Sequence, residues 1–200
     1  ETFPEYMDAL ERMPRALDIG CQVPHGALRP YVMGENGVES NDATPEEIEE
    51  MRRITREALL AGALGFSTSR TLIHKGADGK YVPGTFARLD EVFGIGRALG
   101  DTHRGVFQMT SNHYQMETEF PWLRQIAQDN QLPVAFALVQ TDGTVANWRR
   151  LLQSLDQAHR DGVPIYGAVA GRPAGILMAW QGSIHPFMAH DVWKQMAALP

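Results

Sequence analysis

Five times along this chain an apolar run stops abruptly at residues able to do chemistry. Val23-Pro24 gives way to His25 and Arg29, and Gly62-Ala63-Leu64-Gly65-Phe66 to Ser67, Thr68 and Ser69. The run 106–109 ends at Thr110, Ser111, Asn112 and His113, the run 133–139 at Gln140 and Asp142, and the run 164–169 shortly before Arg172. Imidazoles move protons, hydroxyls attack or orient, and guanidinium groups grip carboxylates in two-point contacts. Such residues just past apolar runs are what parallel strands present when their C-terminal ends open onto a binding face. Each also has a plainer reading. Ser, Thr and Asn after a strand cap the next helix. His113, beside Tyr114 and Gln115, reads more readily as a solvated loop histidine, and Arg29 and Arg172, each before a proline, read also as local ion-pair partners. His25 is the stronger candidate, because Pro24 and Gly26 turn the backbone sharply around it.

Spacing alone assembles no metal site. The chain has no His-x-His, no His-Glu-x-x-His and no Gly-x-Ser-x-Gly, and His185 and His190 around Pro186 lack the helical zinc spacing. His74 and Lys75 lie beside Gly76-Ala77-Asp78-Gly79, a hairpin signal inside a long connection that reads as a lid or as a solvated tip.

The elements that must position these residues alternate. Thr44-Pro45-Glu46-Glu47 is a capping box with proline at the first helical position, followed by Ile48, Met51, Ile54, Ala58 and Leu59 at helical spacing and a stop at Gly62. Glu49 and Arg53 are spaced for an i,i+4 ion pair of about 0.2–0.5 kcal/mol. Further helices are predicted over 89–103, from Pro121 to about Asn130, and over 145–160; strands are predicted over 16–23, 64–68, 106–109, 133–139 and 164–169. Five strands alternating with four helices predict an α/β fold with parallel pairing: a partial (β/α)8 TIM barrel of about five consecutive βα units. The competing doubly wound sheet lacks its Gly-rich phosphate loop after the first strand.

The chain has 200 residues, a formal net charge of −6 and no basic stripe, which argues against a nucleic-acid partner. No apolar run approaches the roughly 20 residues of a membrane span, so no membrane partner is expected. A single cysteine, Cys21, makes no internal disulfide and suits the cytoplasm.

One ordered set of motifs resembles the D-aminoacylase branch of the amidohydrolase superfamily, the N-acyl-D-amino-acid deacylases. The set is His25-Gly26-Ala27-Leu28-Arg29, Val32-Met33-Gly34, Ala43-Thr44-Pro45-Glu46-Glu47-Ile48 with Met51, then Gly62 through Ser69, then Pro83-Gly84-Thr85-Phe86-Ala87. The resemblance implies a metal-dependent (β/α) barrel with a small β-sandwich, hydrolysing the C–N amide bond of a small N-acylated substrate with metal-activated water. It implies zinc, with ligands mostly outside this chain, and makes residues 1–200 a fragment of one barrel whose other units lie elsewhere. On that reading His25, Ser67 and His113 are catalytic candidates, while Arg29, Thr68, Ser69, Asn112, Gln140 and Arg172 bind substrate. The chain departs from the family at two strand ends: Thr110 and Gln140 stand where the family carries metal histidines. A differently active relative, or a non-catalytic barrel kept for ligand binding or assembly, is therefore the alternative. Five strands leave two open edges, so residues 1–200 expressed alone are expected to aggregate or stay molten. A cooperative, reversible melt of that segment would overturn the expectation.

Overall fold

Burial alternates along each strand, and that alternation sets the architecture. In the computed structural model, which describes residues 2–39, 42–76, 78–140, 146–172, 175, 177–180, 185–197 and 199, five strands form one parallel sheet. They are β1 (Val23–Pro24), β2 (Gly65–Ser69), β3 (Val106–Thr110), β4 (Val134–Ala137) and β5 (Ile165–Ala168), and they lie side by side in chain order. A doubly wound sheet reverses its strand order at a switch point; this sheet does not, as expected of a barrel arc.

Phe66, Phe107, Met109, Val134, Phe136 and Ile165 are buried on one face. They meet Leu59 of α4 (Pro45–Leu60), Ile95 and Leu99 of α5 (Leu89–Thr102), Leu123 and Ile126 of α6 (Met116–Asn130), and Leu151 of α7 (Asn147–Arg160) in one core. Phe66 and Phe107 lie 5.5 Å apart between ring centres, and Phe107 meets the Trp122 edge at 6.4 Å. The opposite face carries the intervening residues. Pairing aligns Pro24 with Ser67, Ser67 with Gln108, Gln108 with Ala135 and Ala135 with Tyr166, one continuous row across the sheet. Gln108 and Tyr166 in that row are exposed. This is the face that turns inward when a parallel sheet curls.

The capping box is present as expected: the Glu47 amide donates to Thr44 Oγ1 at 3.2 Å, and the Thr44 amide to Glu47 Oε2 at 2.8 Å. Several expectations need correction. The strand expected over 16–23 shrinks to Val23–Pro24; Leu17 and Ile19 lie exposed beyond it, with no core to hold them extended. Chain expected to be loop forms α2 (His25–Met33) and α3 (Glu35–Glu39), and helices α1 (Phe3–Arg12) and α8 (Asp191–Ala197) were not anticipated. Helix α6 starts at Met116 with Pro121 inside it, because burial of Met116 and Phe120 extends the helix upstream of the proline. Arg53 pairs with Glu50 at 2.7 Å and Glu57 at 3.2 Å, whereas Glu49 reaches Arg52 at 3.0 Å. Val145, the expected start of α7, lies outside the described residues.

Gly65 opens β2 at φ +151°, where a Cβ would sit 2.0 Å from the Val106 carbonyl oxygen. The two strands approach too closely there for any side chain. Gly65→Ala is expected to lower stability by more than ~2 kcal/mol, read as a drop in thermal midpoint of the intact protein. Gly62→Ala, at a similarly strained φ of +113° but with nothing within 4 Å, is expected to cost less.

Candidate functional site

The side chains on the two faces of β2 lead to different neighbourhoods. Thr68 points with Phe66 toward the helices, and Ser67 and Ser69 point with Gln108 and Thr110 to the open face. His25 begins α2 directly after β1, so its imidazole lies behind the sheet. Its Nδ1 is 2.9 Å from Thr68 Oγ1 and its Nε2 is 2.7 Å from Glu91 Oε1. Arg29, one turn along α2, donates from Nε to Glu91 Oε1 at 2.7 Å, from Nη2 to Glu91 Oε2 at 3.2 Å, and from Nη1 to the Gly37 carbonyl at 3.1 Å. All four side chains are buried.

The charges assign the protons. Burial holds the His25 imidazole below its ordinary pKa; Glu91 pulls the other way, and Arg29 and Arg70 add to the lowering. A neutral ring satisfies every contact in one way: Nε2–H donates to the carboxylate, and Nδ1 accepts from the Thr68 hydroxyl. Gly84, at φ +93°, brings its backbone against this ring, where a Cβ would lie 2.6 Å from His25 Nδ1. That close approach is what the Pro83-Gly84-Thr85 stretch provides.

Two serine–histidine pairs follow the ends of β2 and β3. Ser69 Oγ is 2.9 Å from His74 Nδ1, so the connection after β2 turns back toward the end of that strand. Its tip is a hairpin, with Lys75 bridged to Tyr81 and the Lys75 ammonium 4.9 Å above the Tyr81 ring. After β3, the Ser111 hydroxyl donates to the Ala137 carbonyl at 2.6 Å and its oxygen lies 3.2 Å from His113 Nδ1. Because the Ser111 proton is engaged, His113 donates from Nδ1–H and keeps its lone pair on Nε2. Burial also holds this imidazole below its ordinary pKa, so it is neutral at pH 7.

The sequence candidates therefore divide into groups. His25, Arg29 and Thr68 come together, joined by Glu91, behind the sheet. Ser67 and Ser69 lie on the inner face, with His113 and buried Asn112 in the turn beyond β3; Asn112 Nδ2 donates to Gln115 Oε1 at 3.3 Å. Gln140 is exposed three residues beyond β4, and Arg172 is exposed beyond β5. Asp142 lies outside the described residues. Sequence reasoning missed Glu91, whose one signal is an acidic residue in the apolar stripe of Ile95, Ala98 and Leu99. Gln108 and Tyr166 were missed because they fall inside strands rather than at their ends.

Among the described residues, no group of three or more His, Cys, Asp or Glu is placed to hold a metal ion. The inner row offers hydroxyls, an amide and a phenol, which are poor ligands beside imidazole or carboxylate. The zinc implied by the resemblance was expected to draw its ligands mostly from outside this chain, and the described residues add no such group to it.

A histidine whose pKa is depressed on folding stabilises the fold at high pH. Here the unfolded chain takes up the proton near pH 6.5 and the folded state resists it. Stability is expected to fall as pH drops from 7 toward 5, and His25→Gln should flatten the part of that slope that His113 does not supply. Thermal midpoints across that range check it.

No family model matches the chain. It is 35% identical over 107 residues to D-aminoacylase of Alcaligenes xylosoxydans xylosoxydans, a match over 54% of this chain and 19% of that protein. It is 34% identical over 98 residues to N-acyl-D-aspartate deacylase of the same organism, covering 49% of this chain and 17% of that one. The fold matches solved D-aminoacylase structures at a TM-score of 0.70 and 22% identity, over 86% of this chain and 34% of theirs. One of them concerns the binuclear metal center of D-aminoacylase, with one-metal activation and second-metal attenuation. Another defines D-aminoacylase as a novel subset of amidohydrolases. This chain thus resembles the D-aminoacylase branch and spans only a part of these relatives.

Proposed function

We propose that this chain supplies five consecutive βα units to a longer amidohydrolase-type barrel, which hydrolyses the C–N amide bond of a small N-acylated amino acid of the N-acyl-D-amino-acid kind. The observation that carries the reading is a coincidence: the 35% identity to D-aminoacylase accompanies a sheet whose strand ends gather hydroxyl, amide and imidazole groups on one rim. The remaining barrel units and the β-sandwich belong to other parts of the protein. A cytoplasmic location stays part of the proposal; among the described residues, no helix is long and apolar enough to cross a membrane.

In this reading His113 Nε2 accepts a proton from the attacking water and returns it to the departing amine, which leaves with the carboxylate of the acyl group as co-product. Ser67 orients the acyl oxygen, with Ser69 and Asn112 beside it. Arg172 and Gln140 meet the amino-acid carboxylate from the outer rim. His25, Arg29 and Thr68 act from behind the sheet as positioning residues, holding the end of β2 where Ser67 and Ser69 need it. The zinc that the resemblance implies would be held by residues outside this chain and would supply activation of the attacking water there.

A ligand-binding barrel without chemistry is the second reading, favoured by Thr110 and Gln140 at the strand ends. The experiment is amine release by the intact protein, with divalent metal added, across a panel of N-acetyl-D-amino acids. Release from at least one member is expected, with His113→Ala lowering kcat by about 10²–10⁴. No release from any member removes the hydrolase reading.

A further inference from the structure

A second ion pair lies behind the sheet, beyond the His25 cluster. Arg70 follows Ser69 directly, and its amide continues the pairing of β2 with β3 by donating to the Thr110 carbonyl at 2.8 Å. Two residues past Thr68, its side chain falls on the helix-facing side of the strand. There Nη1 donates to the Ala87 carbonyl at 2.6 Å and to the Thr85 carbonyl at 3.3 Å, on the chain that enters α5. The guanidinium lies 5.7 Å from the centre of the Trp122 ring, and its Nε is 3.5 Å from Glu119 Oε2, both residues of α6. The Arg70 and Glu119 side chains are only 12% and 11% exposed. Every partner belongs to this chain and sits between the sheet and its own covering helices.

Among the described residues, Glu119 Oε2 is buried without a hydrogen bond, so attraction to the Arg70 charge is what offsets its loss of water. The first turn of α6, which carries Glu119, is joined to the turn beyond β3. The Thr118 hydroxyl donates to the Gln115 carbonyl at 2.8 Å, the Gln115 amide to the Asn112 carbonyl at 2.9 Å, and Asn112 Nδ2 to Gln115 Oε1 at 3.3 Å. His113 stands inside that turn. One guanidinium therefore touches both connections that leave the neighbouring strands β2 and β3. A planar fork of five donors can serve the carbonyls and the carboxylate together; a compact ammonium reaches one of them at a time.

We propose that Arg70 is a positioning residue that couples the connection carrying His74 to the turn carrying His113, holding the two at a fixed spacing past the ends of β2 and β3. The coupling is a statement about the fold, and it rests on the hydrolase reading above only for its kinetic consequence. Arg70 lies behind the sheet and touches no reacting atom. A proton-accepting His113 must nevertheless keep its place, so loosening the tie behind it lowers turnover while substrate binding is largely kept.

Hydrogen–deuterium exchange on the intact protein tests it, read over residues 82–88 and 112–118 with residues 150–158 of α7 as reference. The variants are Arg70→Met, Arg70→Lys and Glu119→Gln. Arg52→Met, which breaks the outer pair of Arg52 with Asp101 at 2.6 Å, is the control. Arg70→Met is expected to speed exchange in both segments by about tenfold or more relative to α7, and Glu119→Gln in 112–118 alone. Arg70→Lys is expected to restore protection in one segment at most, and Arg52→Met to leave both unchanged. If Arg70→Met does not fold, Arg70→Lys and Glu119→Gln carry the same comparison. Exchange over 112–118 that merely keeps pace with α7 in the Arg70 variants and in Glu119→Gln overturns the coupling and leaves Arg70 an ordinary stabilising contact. Full protection of both segments in Arg70→Lys also overturns it. In amine release, Arg70→Lys is expected to lower kcat about 10–100-fold with KM changed less than about threefold, and an unchanged kcat removes the positioning role. A wild type that releases no amine sinks the hydrolase reading, and the exchange comparison then decides the coupling by itself.

Discussion

The Glu91 carboxylate gathers three donors from two residues of another helix, the His25 ring and two nitrogens of Arg29. Its place in the first turn of α5 also suits a negative charge. Removing one partner of so buried a pair costs about 3–5 kcal/mol, because the other charge stays out of water without compensation. The contact does more than join α2 to α5. Through His25 it reaches Thr68, and through Gly84 it fixes the chain that leads back into α5, so the C-terminal end of β2 is set by a fully bonded cluster. Whatever Ser67 and Ser69 do on the opposite face, they do from a strand clamped behind.

This arrangement divides labour by face. A parallel strand in a curled sheet sends alternate side chains into the helix-covered core and into the interior. At Ser67-Thr68-Ser69 that rule separates three similar hydroxyls: the middle one belongs to the clamp and the outer two to the rim. The ionisable groups follow the same division. Charge is concentrated behind the sheet, where Arg29 and Glu91 satisfy each other, and the inner row of Ser67, Gln108, Ala135 and Tyr166 holds no acidic or basic side chain.

Much of the scaffold was legible because it depends on local signals. The Thr44 capping box and the apolar spacing after it specify α4 nearly residue by residue, and α5 runs Leu89–Thr102 against the expected 89–103. The positions of β2 to β5 could be read from apolar runs, but not the extent of β1, and their sequential order from the alternation with helices. The clamp was not legible: His25 lies 43 residues from Thr68 and 66 from Glu91, and no local pattern links them. Helix α2 was hidden because Pro24 and Pro30 read as loop chemistry, although proline suits the entry to a helix and Arg29 gains a buried partner by being helical. The opposite placement of Thr68 and Ser67 was available in principle from the two-residue period of a strand, once Phe66 is taken as core.

The connection between β2 and α5 is tied at its stem and loosely held at its tip. Arg70 donates to the Ala87 carbonyl at 2.6 Å, Gly84 lies against an immobile ring, and Ser69 holds His74. Between these anchors the hairpin around Lys75 and Tyr81 is restrained by a ring–ammonium contact and by an exposed Lys80–Glu39 pair, interactions of about 1 kcal/mol or less. Weak ties of this kind make the tip, rather than the anchors at Ser69, Arg70 and Gly84, the part of the connection that yields most readily.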